Sequence, residues 1–344
     1  MRKPVLLPLL ALILLHVVVL FAGFFSPYDP AAQYRDMPFA PPTRMHFFDG
    51  AGEFHLRPCV FRWRADPGAA DVYGEDRRRC YSVRFLVSGA QYRIAGLWRS
   101  RLHLFGVEEP ATVFLMGTDE YGRDQLTRLL FGAQISLVAG PVAAALALAF
   151  GTTLGALAGY YGRWFDEALM GAAELFLALP WLYLLLAARA FLPLHLDTRR
   201  AFLVLICLLG ALGWARPARL VRGVVLSAKE REYVLAARSF GATDLYLLGR
   251  HVLPQTRGLL LTQASLLIPH YILAEVTMSF LGLGVSEPDA SWGLMLAGLK
   301  QYHAMVAHWW MWIPAVLLVP VFLAYYALAQ AIGGIEDPRL KRPV

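Results

Sequence analysis

Apolar residues in this chain gather into long uninterrupted blocks instead of recurring at every third or fourth position. A hydrocarbon core of about 30 Å takes roughly twenty apolar helical residues, whereas core helices of soluble domains are shorter and amphipathic. Val5–Phe25 is the first block, free of charge and preceded by Arg2 and Lys3. A secretory leader would be shorter and end in a small-x-small cleavage site; Phe24, Phe25, Ser26 and Pro27 follow instead, which predicts a retained spanning helix. Blocks at about Ile135–Ala158, Ala168–Leu192, Ala201–Trp214, Leu259–Leu283 and Val306–Ile332 predict five more spans, the fourth being short. The expected fold class is an all-α polytopic membrane protein with six transmembrane helices.

Composition agrees: of 344 residues, 58% are hydrophobic and 17% charged, outside the range of soluble domains. With the N-terminus inside, the short segments on the cytoplasmic side carry about fourteen Lys and Arg against about three in the short outer loops. Both termini are therefore expected in the cytoplasm of a bacterial cell, with the chain multi-pass in its inner membrane. The net charge of +7 follows partly from this asymmetry and gives no reason to expect nucleic acid as a partner.

Ser26 to about Ala133 then lies outside. Turn signals at Asp49-Gly50 and Pro67-Gly68 and the alternating stretch Tyr81–Val87 predict a small β-containing insert. Cys59 and Cys80 fall there, where a disulfide could persist; they form either a bridge or two separate thiols. Cys207 is alone inside a span and reads as packing.

The segment 215–257 is too polar for the membrane and too long for a tight turn. Tyr233, Ala236, Ala237 and Phe240 recur at i, i+3, i+4 and i+7, giving a short helix whose apolar face is small in its middle. Gly241 stops it, Asp244 caps a second helix, and Leu253-Pro254 breaks that one. Such a hairpin could lie on lipid headgroups, but adjacent alanines favour close approach of another protein's surface.

Leu235-Ala236-Ala237, three residues, Gly241, nine residues, His251-Val252-Leu253-Pro254 resembles the EAA loop of ABC importer permeases, whose pattern is Glu-Ala-Ala, three residues, Gly, nine residues, Ile, any residue, Leu-Pro. Here Leu235 stands for the Glu and His251 for the Ile, so that the carboxylate contact is either made by nearby Glu232 or Glu230 or is absent. Three further stretches are similar to the second permease subunit of dipeptide and oligopeptide importers. They are Gly117-Thr118-Asp119-Glu120-Tyr121-Gly122-Arg123-Asp124 before the second span, Ser279-Phe280-Leu281-Gly282-Leu283-Gly284 with Pro288 and Ser291-Trp292-Gly293 at the end of the fifth, and Asp337-Pro338-Arg339 at the tail.

The resemblance implies the type I ABC importer permease fold, divided into an anchor (1–25), an extracytoplasmic insert (26–116) and a transmembrane domain (117–344) with a cytoplasmic coupling loop (215–257). It implies that Glu232, Tyr233, Ala236, Ala237, Phe240, Gly241, Ala242, Asp244 and Pro254 dock on a separate ATPase. The implied partners are a second permease subunit, two ABC ATPase subunits and an extracytoplasmic solute-binding protein, besides membrane lipid.

Gly282 and Gly284 let the end of the fifth span bend, and Pro288 with Trp292 makes a rigid outer loop, so these residues and Ser279 are candidates for a gate. Trp309, Trp310 and Trp312 read as an aromatic belt. Ionisable residues inside spans point to a cavity or a partner. Glu275 is the leading candidate for the translocation path, with a structural hydrogen bond to Thr277, His270 or another helix as the alternative; Glu174 is a second candidate. No histidine or cysteine grouping has metal-ligand spacing, and the chain has no Gly-x4-Gly-Lys-Ser/Thr phosphate loop or hydrolase motif. No cofactor and no catalysis are expected of it; ATP and Mg²⁺ would be bound by the ATPase partners. The function implied is passage of di- or oligopeptides, or of another solute such as nickel or a sugar. An ion-driven secondary transporter would show repeated halves, which are not apparent.

Overall fold

The computed structural model describes residues 3–66, 68, 72–94, 96–191, 193 and 197–336. The tail motif Asp337-Pro338-Arg339, and Arg2 and Pro67, lie outside them. In chain order the elements are α1 (Lys3–Leu20), α2 (Ala22–Phe25), β1 (His46–Phe48), β2 (Phe54–Ala65), β3 (Tyr73–Ser82), β4 (Arg84–Ile94) and β5 (Trp98–Gly106). Then follow α3 (Gln125–Tyr161), α4 (Arg163–Ala178), α5 (Trp181–Ala190), α6 (Thr198–Leu212), α7 (Ala215–Lys229), α8 (Glu232–Ser239), α9 (Asp244–Leu247), α10 (Arg257–Phe280), α11 (Trp292–Ala297), α12 (Tyr302–Ala307) and α13 (Ile313–Glu336).

All six apolar blocks are helical, but their ends and continuity differ from expectation. Among the described residues, four stretches are long and apolar enough to cross a membrane: Gln125–Tyr161, Arg200–Lys229, Asp244–Phe280 and Trp309–Gly334. The first block parts at Phe21, leaving a shorter apolar helix at Val5–Leu20. The third block is two helices, α4 and α5, bent by 97°. Pro180 is the cause: it has no N–H to donate and drives Leu179 to an extended ψ of 137°. The short fourth block runs on past Trp214 as helix to Lys229, so the polar segment after it begins as an extension of a span and not as a loop. Pro141, Pro269 and Pro320 sit within α3, α10 and α13 without ending them, as membrane helices tolerate.

The chain forms two compact units. One comprises 13–137 and 276–319. Here β1, β2 and β3 make an antiparallel sheet and β4 pairs with β5 from Arg84↔Gly106 to Ile94↔Trp98. The stretch expected as one strand at Tyr81–Val87 is divided: β3 ends at Ser82, Val83 is buried, and β4 begins at Arg84. Val60, Val83, Phe105 and Val113 form a core on which Leu126 of α3 packs. Cys59 and Cys80 are joined by a disulfide between β2 and β3, their Cα atoms 5.7 Å apart.

The other unit comprises 1–12, 138–275 and 320–344. Its seam is a run of small residues on α3. A Cβ on Gly151 would lie 2.6 Å from Pro217, one on Gly155 2.9 Å from the Ala218 Cα, and one on Gly159 2.9 Å from the Arg222 carbonyl. Glycine at every fourth position thus brings the α3 backbone directly onto α7, the small-residue contact that membrane helices use in place of a hydrophobic driving force.

Candidate functional site

The seam carries α7 to a second cluster at its end. Ala156 and Tyr160 of α3, Val221, Val225 and Ala228 of α7, Val234 of α8, and Leu247 and Val252 bury one another. Polar bonds fix the same junction. Arg222 holds Asp166 through two contacts of 2.5 Å, and Lys229 Nζ donates to the Gly159 carbonyl at 2.9 Å. Tyr160 donates its hydroxyl proton to Asp244 at 2.6 Å and accepts from Arg238 Nη2 at 2.9 Å.

Helix α8 stands on this base through Val234, which is fully buried, and Ala237, which is partly buried against the cluster. This corrects the expected docking face: Ala237 turns inward, while Tyr233, Ala236 and Phe240 remain outside. Gly241 ends the helix at φ +84°. Its N–H donates to the Arg238 carbonyl at 2.9 Å and that of Ala242 to Ala237 at 3.2 Å, a Schellman closure that needs a left-handed residue at this position. Thr243, not Asp244, caps α9, accepting from the Tyr246 N–H, and Asp244 is left to bind Tyr160.

Leu253-Pro254 does not break the second helix. A π-helical turn at Leu248–Val252 and a 3₁₀ turn at Leu253–Thr256 absorb the missing proline N–H, and the helix continues into α10. Outward the junction presents Tyr233, Leu235, Leu245, Tyr246 and Phe240, the last 91% exposed. Glu230 and Glu232 are exposed on the same segment. Bulky apolar side chains clustered and rimmed by charge mark an interaction surface, for a protein or a membrane.

In the other unit, Gly117–Asp124 forms a tight clasp. Gly117 and Gly122 have φ of +71° and +72°; a Cβ on Gly117 would lie 2.7 Å from the Ala40 carbonyl. Thr118 Oγ1 accepts the Ala40 N–H and donates to the Met37 carbonyl, both at 2.7 Å. Asp119 Oδ1 accepts the N–H groups of Tyr121 and Arg123 at 2.9 Å, and its Oδ2 accepts from Arg123 Nε at 2.7 Å. Arg123 and Arg128 reach Glu287 at 2.5 and 3.1 Å, and Arg128 lies 3.7 Å from Asp119. Arg128 and Glu287 escaped sequence reasoning, because no local pattern links residues so far apart in the chain.

Asp124 caps α3, accepting the Thr127 N–H at 2.8 Å and its hydroxyl at 2.5 Å. Burial pushes its carboxyl up to about 7, against the lowering effect of those hydrogen bonds. The folded chain therefore keeps a proton that the unfolded chain releases between roughly pH 4 and 7. This stability is complete below about pH 4 and lost as pH rises through 7, at about 1.4 kcal/mol per unit. Asp124→Asn is expected to flatten the fall in melting temperature of the detergent-purified protein across this range; a slope equal to wild type contradicts it.

The gate candidates are closed within the chain. Ser279 is buried and its Oγ accepts the Val285 N–H at 3.2 Å. Gly282, at φ +78°, closes α10 as Gly241 closes α8, with the Leu283 N–H on the Met278 carbonyl at 2.8 Å. A Cβ on Gly284 would meet Ser279 N at 2.9 Å. Trp292 is buried, its indole donating to the Leu129 carbonyl at 3.0 Å and its backbone N–H to Ser136 Oγ at 3.2 Å. Glu275 is fully buried, whereas Glu174 is exposed. Trp310 leaves the expected belt: it is buried and donates to the Thr118 carbonyl at 2.9 Å, while Trp309 and Trp312 are exposed. Among the described residues no group of three or more His, Cys, Asp or Glu could hold a metal.

Residues 151–341 match the family model described as binding-protein-dependent transport system inner membrane component. The chain is 37% identical over 235 residues to the dipeptide transport system permease protein DppC of Bacillus subtilis (strain 168), covering 68% of this chain and 71% of that one. It is 34% identical over 237 residues to the oligopeptide transport system permease protein OppC of the same organism, covering 68% and 74%. Among solved structures, a chain of the methionine ABC transporter MetNI, in an inward-facing conformation, aligns with a TM-score of 0.43 at 18% identity, over 61% of this chain and 96% of that one.

Proposed function

The chain belongs to the family of binding-protein-dependent transport system inner membrane components, and we propose that it is a permease subunit of an ATP-driven importer of di- and oligopeptides, with α8 and α9 seated on a separate ATPase. The observation that carries the docking role is the exposed group Tyr233, Leu235, Phe240, Leu245 and Tyr246, held rigidly on α3 and α7 by the Val234 cluster and the Tyr160–Asp244–Arg238 bonds. The relatives' names supply the peptide cargo. The excess of Lys and Arg on this side supports a cytoplasmic location for α8 and for both termini.

The full assembly pairs this chain with a second permease subunit, two ATPase subunits that bind ATP and Mg²⁺, and an extracytoplasmic solute-binding protein. The chain itself is not an enzyme, in keeping with a sequence that has no phosphate loop. ATPase closure acts through α8, and it can shift the permease between inward and outward states only by as much as the ATPase prefers one of them.

Gly241→Val tests the coupling. No atom lies within 4 Å of the added Cβ, so the substitution acts through the left-handed backbone at φ +84° alone. For a β-branched residue that strain exceeds the roughly 1–2 kcal/mol of the ordinary αL penalty. Co-purification with the ATPase should fall several-fold and peptide-stimulated ATP hydrolysis with it, while membrane insertion persists. Unaltered assembly and hydrolysis would remove the docking role. Uptake of peptide, nickel and sugar by the reconstituted wild-type assembly separates the cargo classes.

A further inference from the structure

A hollow lies within the unit that carries α8. It measures about 490 Å³ and lies where two helices are interrupted: at the Leu179–Pro180 bend before α5, and at Gly213 between α6 and α7. Pro217 is the reason for the second interruption, since it offers no N–H to the Gly213 carbonyl. Trp181, Gly213, Arg216, Gln263, His270 and Tyr271 face the hollow, and leucines and Phe176 complete its walls.

Arg216 stands two residues beyond the apolar block that ends at Trp214, at the cytoplasmic end of its span, where it is exposed and lines the hollow. A guanidinium at that end keeps its charge hydrated while its stem lies along the apolar wall, which leaves its fork available to an anion in the hollow. It makes no hydrogen bond or ion pair among the described residues. Its neighbour Arg222, by contrast, is fully engaged by Asp166. No Asp or Glu lines the hollow. Beside it stands a second donor without an acceptor: the Trp181 indole N–H is buried and unbonded among the described residues, its ring 5.6 Å from His270 and 6.0 Å from Tyr271. The polar wall thus offers a cation and N–H donors with no carboxylate to answer them. Glu275, the ionisable residue that sequence favoured for the path, is fully buried and does not line this hollow.

We infer that this hollow is a cargo-binding subsite in which Arg216 receives the C-terminal carboxylate of a passing peptide, with the apolar walls taking its last side chain. The inference rests on the peptide-permease reading above. An Arg fork matches a carboxylate in a two-bond geometry, and such a charge-assisted contact gains strength where water is scarce.

The complete wild-type assembly and its Arg216→Gln and Arg216→Lys variants would be reconstituted in proteoliposomes with saturating solute-binding protein. Uptake is then measured for a mixture of di- to pentapeptides and for the same peptides as C-terminal amides. Arg216→Gln should lower uptake of the free acids roughly tenfold, the equivalent of one charged hydrogen bond. Amide uptake should stay at its wild-type rate, so that the acid-to-amide ratio falls, and Arg216→Lys should retain part of the ratio. An acid-to-amide ratio unchanged in Arg216→Gln overturns the inference, as does an equal loss of both peptide forms or a failure of the variant to assemble with the second permease subunit. In each of these cases wild-type peptide uptake leaves the peptide reading standing. Absence of peptide uptake by wild type overturns that reading and this inference with it.

Discussion

Arg128→Leu is expected to destabilise the chain by about 3–5 kcal/mol. Arg128 is 1% exposed, yet it sits on the first turn of α3 between Asp119 and the exposed side of Glu287. Removing it leaves Asp119 buried with one cation in place of two and frees Glu287 of its better-shielded partner. The cost comes mainly from the buried Asp119 charge, answered then by Arg123 alone, since the Glu287 side chain is 47% exposed and its pairing is screened by solvent. Neutralising Asp119 in the same chain, as Asp119→Asn, should therefore recover part of the loss. The measurement is thermal unfolding of the purified protein by tryptophan fluorescence. A loss below about 1 kcal/mol would mean that the clasp is held by its backbone bonds and glycines alone.

Phe240→Glu is expected to do the opposite: leave folding intact and abolish coupling. The side chain is 91% exposed, so the melting temperature should match wild type; surface changes of this kind stay within about 0.5 kcal/mol. At an interface, truncating or charging a central aromatic costs about 2–4 kcal/mol, or roughly 30- to 1,000-fold in affinity. Titrating the detergent-solubilised permease with its ATPase should show that loss, and transport should cease. Val234→Asp provides the contrast, because Val234 is fully buried in the cluster beneath α8: that variant should fail to fold before it fails to dock. Phe240→Glu with wild-type affinity would move the contact to Leu245 and Tyr246.

The helical architecture was legible because membrane helices are written in composition, a signal that does not depend on distant residues. Breaks within the blocks were harder to see. Pro141 and Pro180 look alike in sequence, yet α3 continues through the first and the chain bends by 97° at the second. A proline in a spanning helix is resolved by its neighbours, which either satisfy the freed carbonyl or do not. The projecting surface was half legible. Gly241 announces a left-handed closure, and the periodicity of Tyr233, Ala236 and Phe240 marks an outer face. Periodicity alone could not say that Val234 would be the anchor, nor that Ala237 would turn toward it, because which stripe of a short helix is buried depends on what the rest of the chain provides.

The clasp shows the same limit from another direction. Gly117, Asp119, Gly122 and Arg123 form a local pattern whose turn can be derived from the sequence. Glu287 and Trp310 complete it from far along the chain. The regular spacing Gly151, Gly155, Gly159 was available as a signal and fixes where α3 and α7 meet.

That seam bears on compliance. Side chains packed between two helices act as a cushion: rotamers shift, and a small displacement on one side is partly spent before it reaches the other. Where α3 meets α7 through glycine there is almost no cushion, because backbone rests on backbone. A push delivered at α8 enters a joint without slack, and a fraction of an ångström gained there is not dissipated between these two helices.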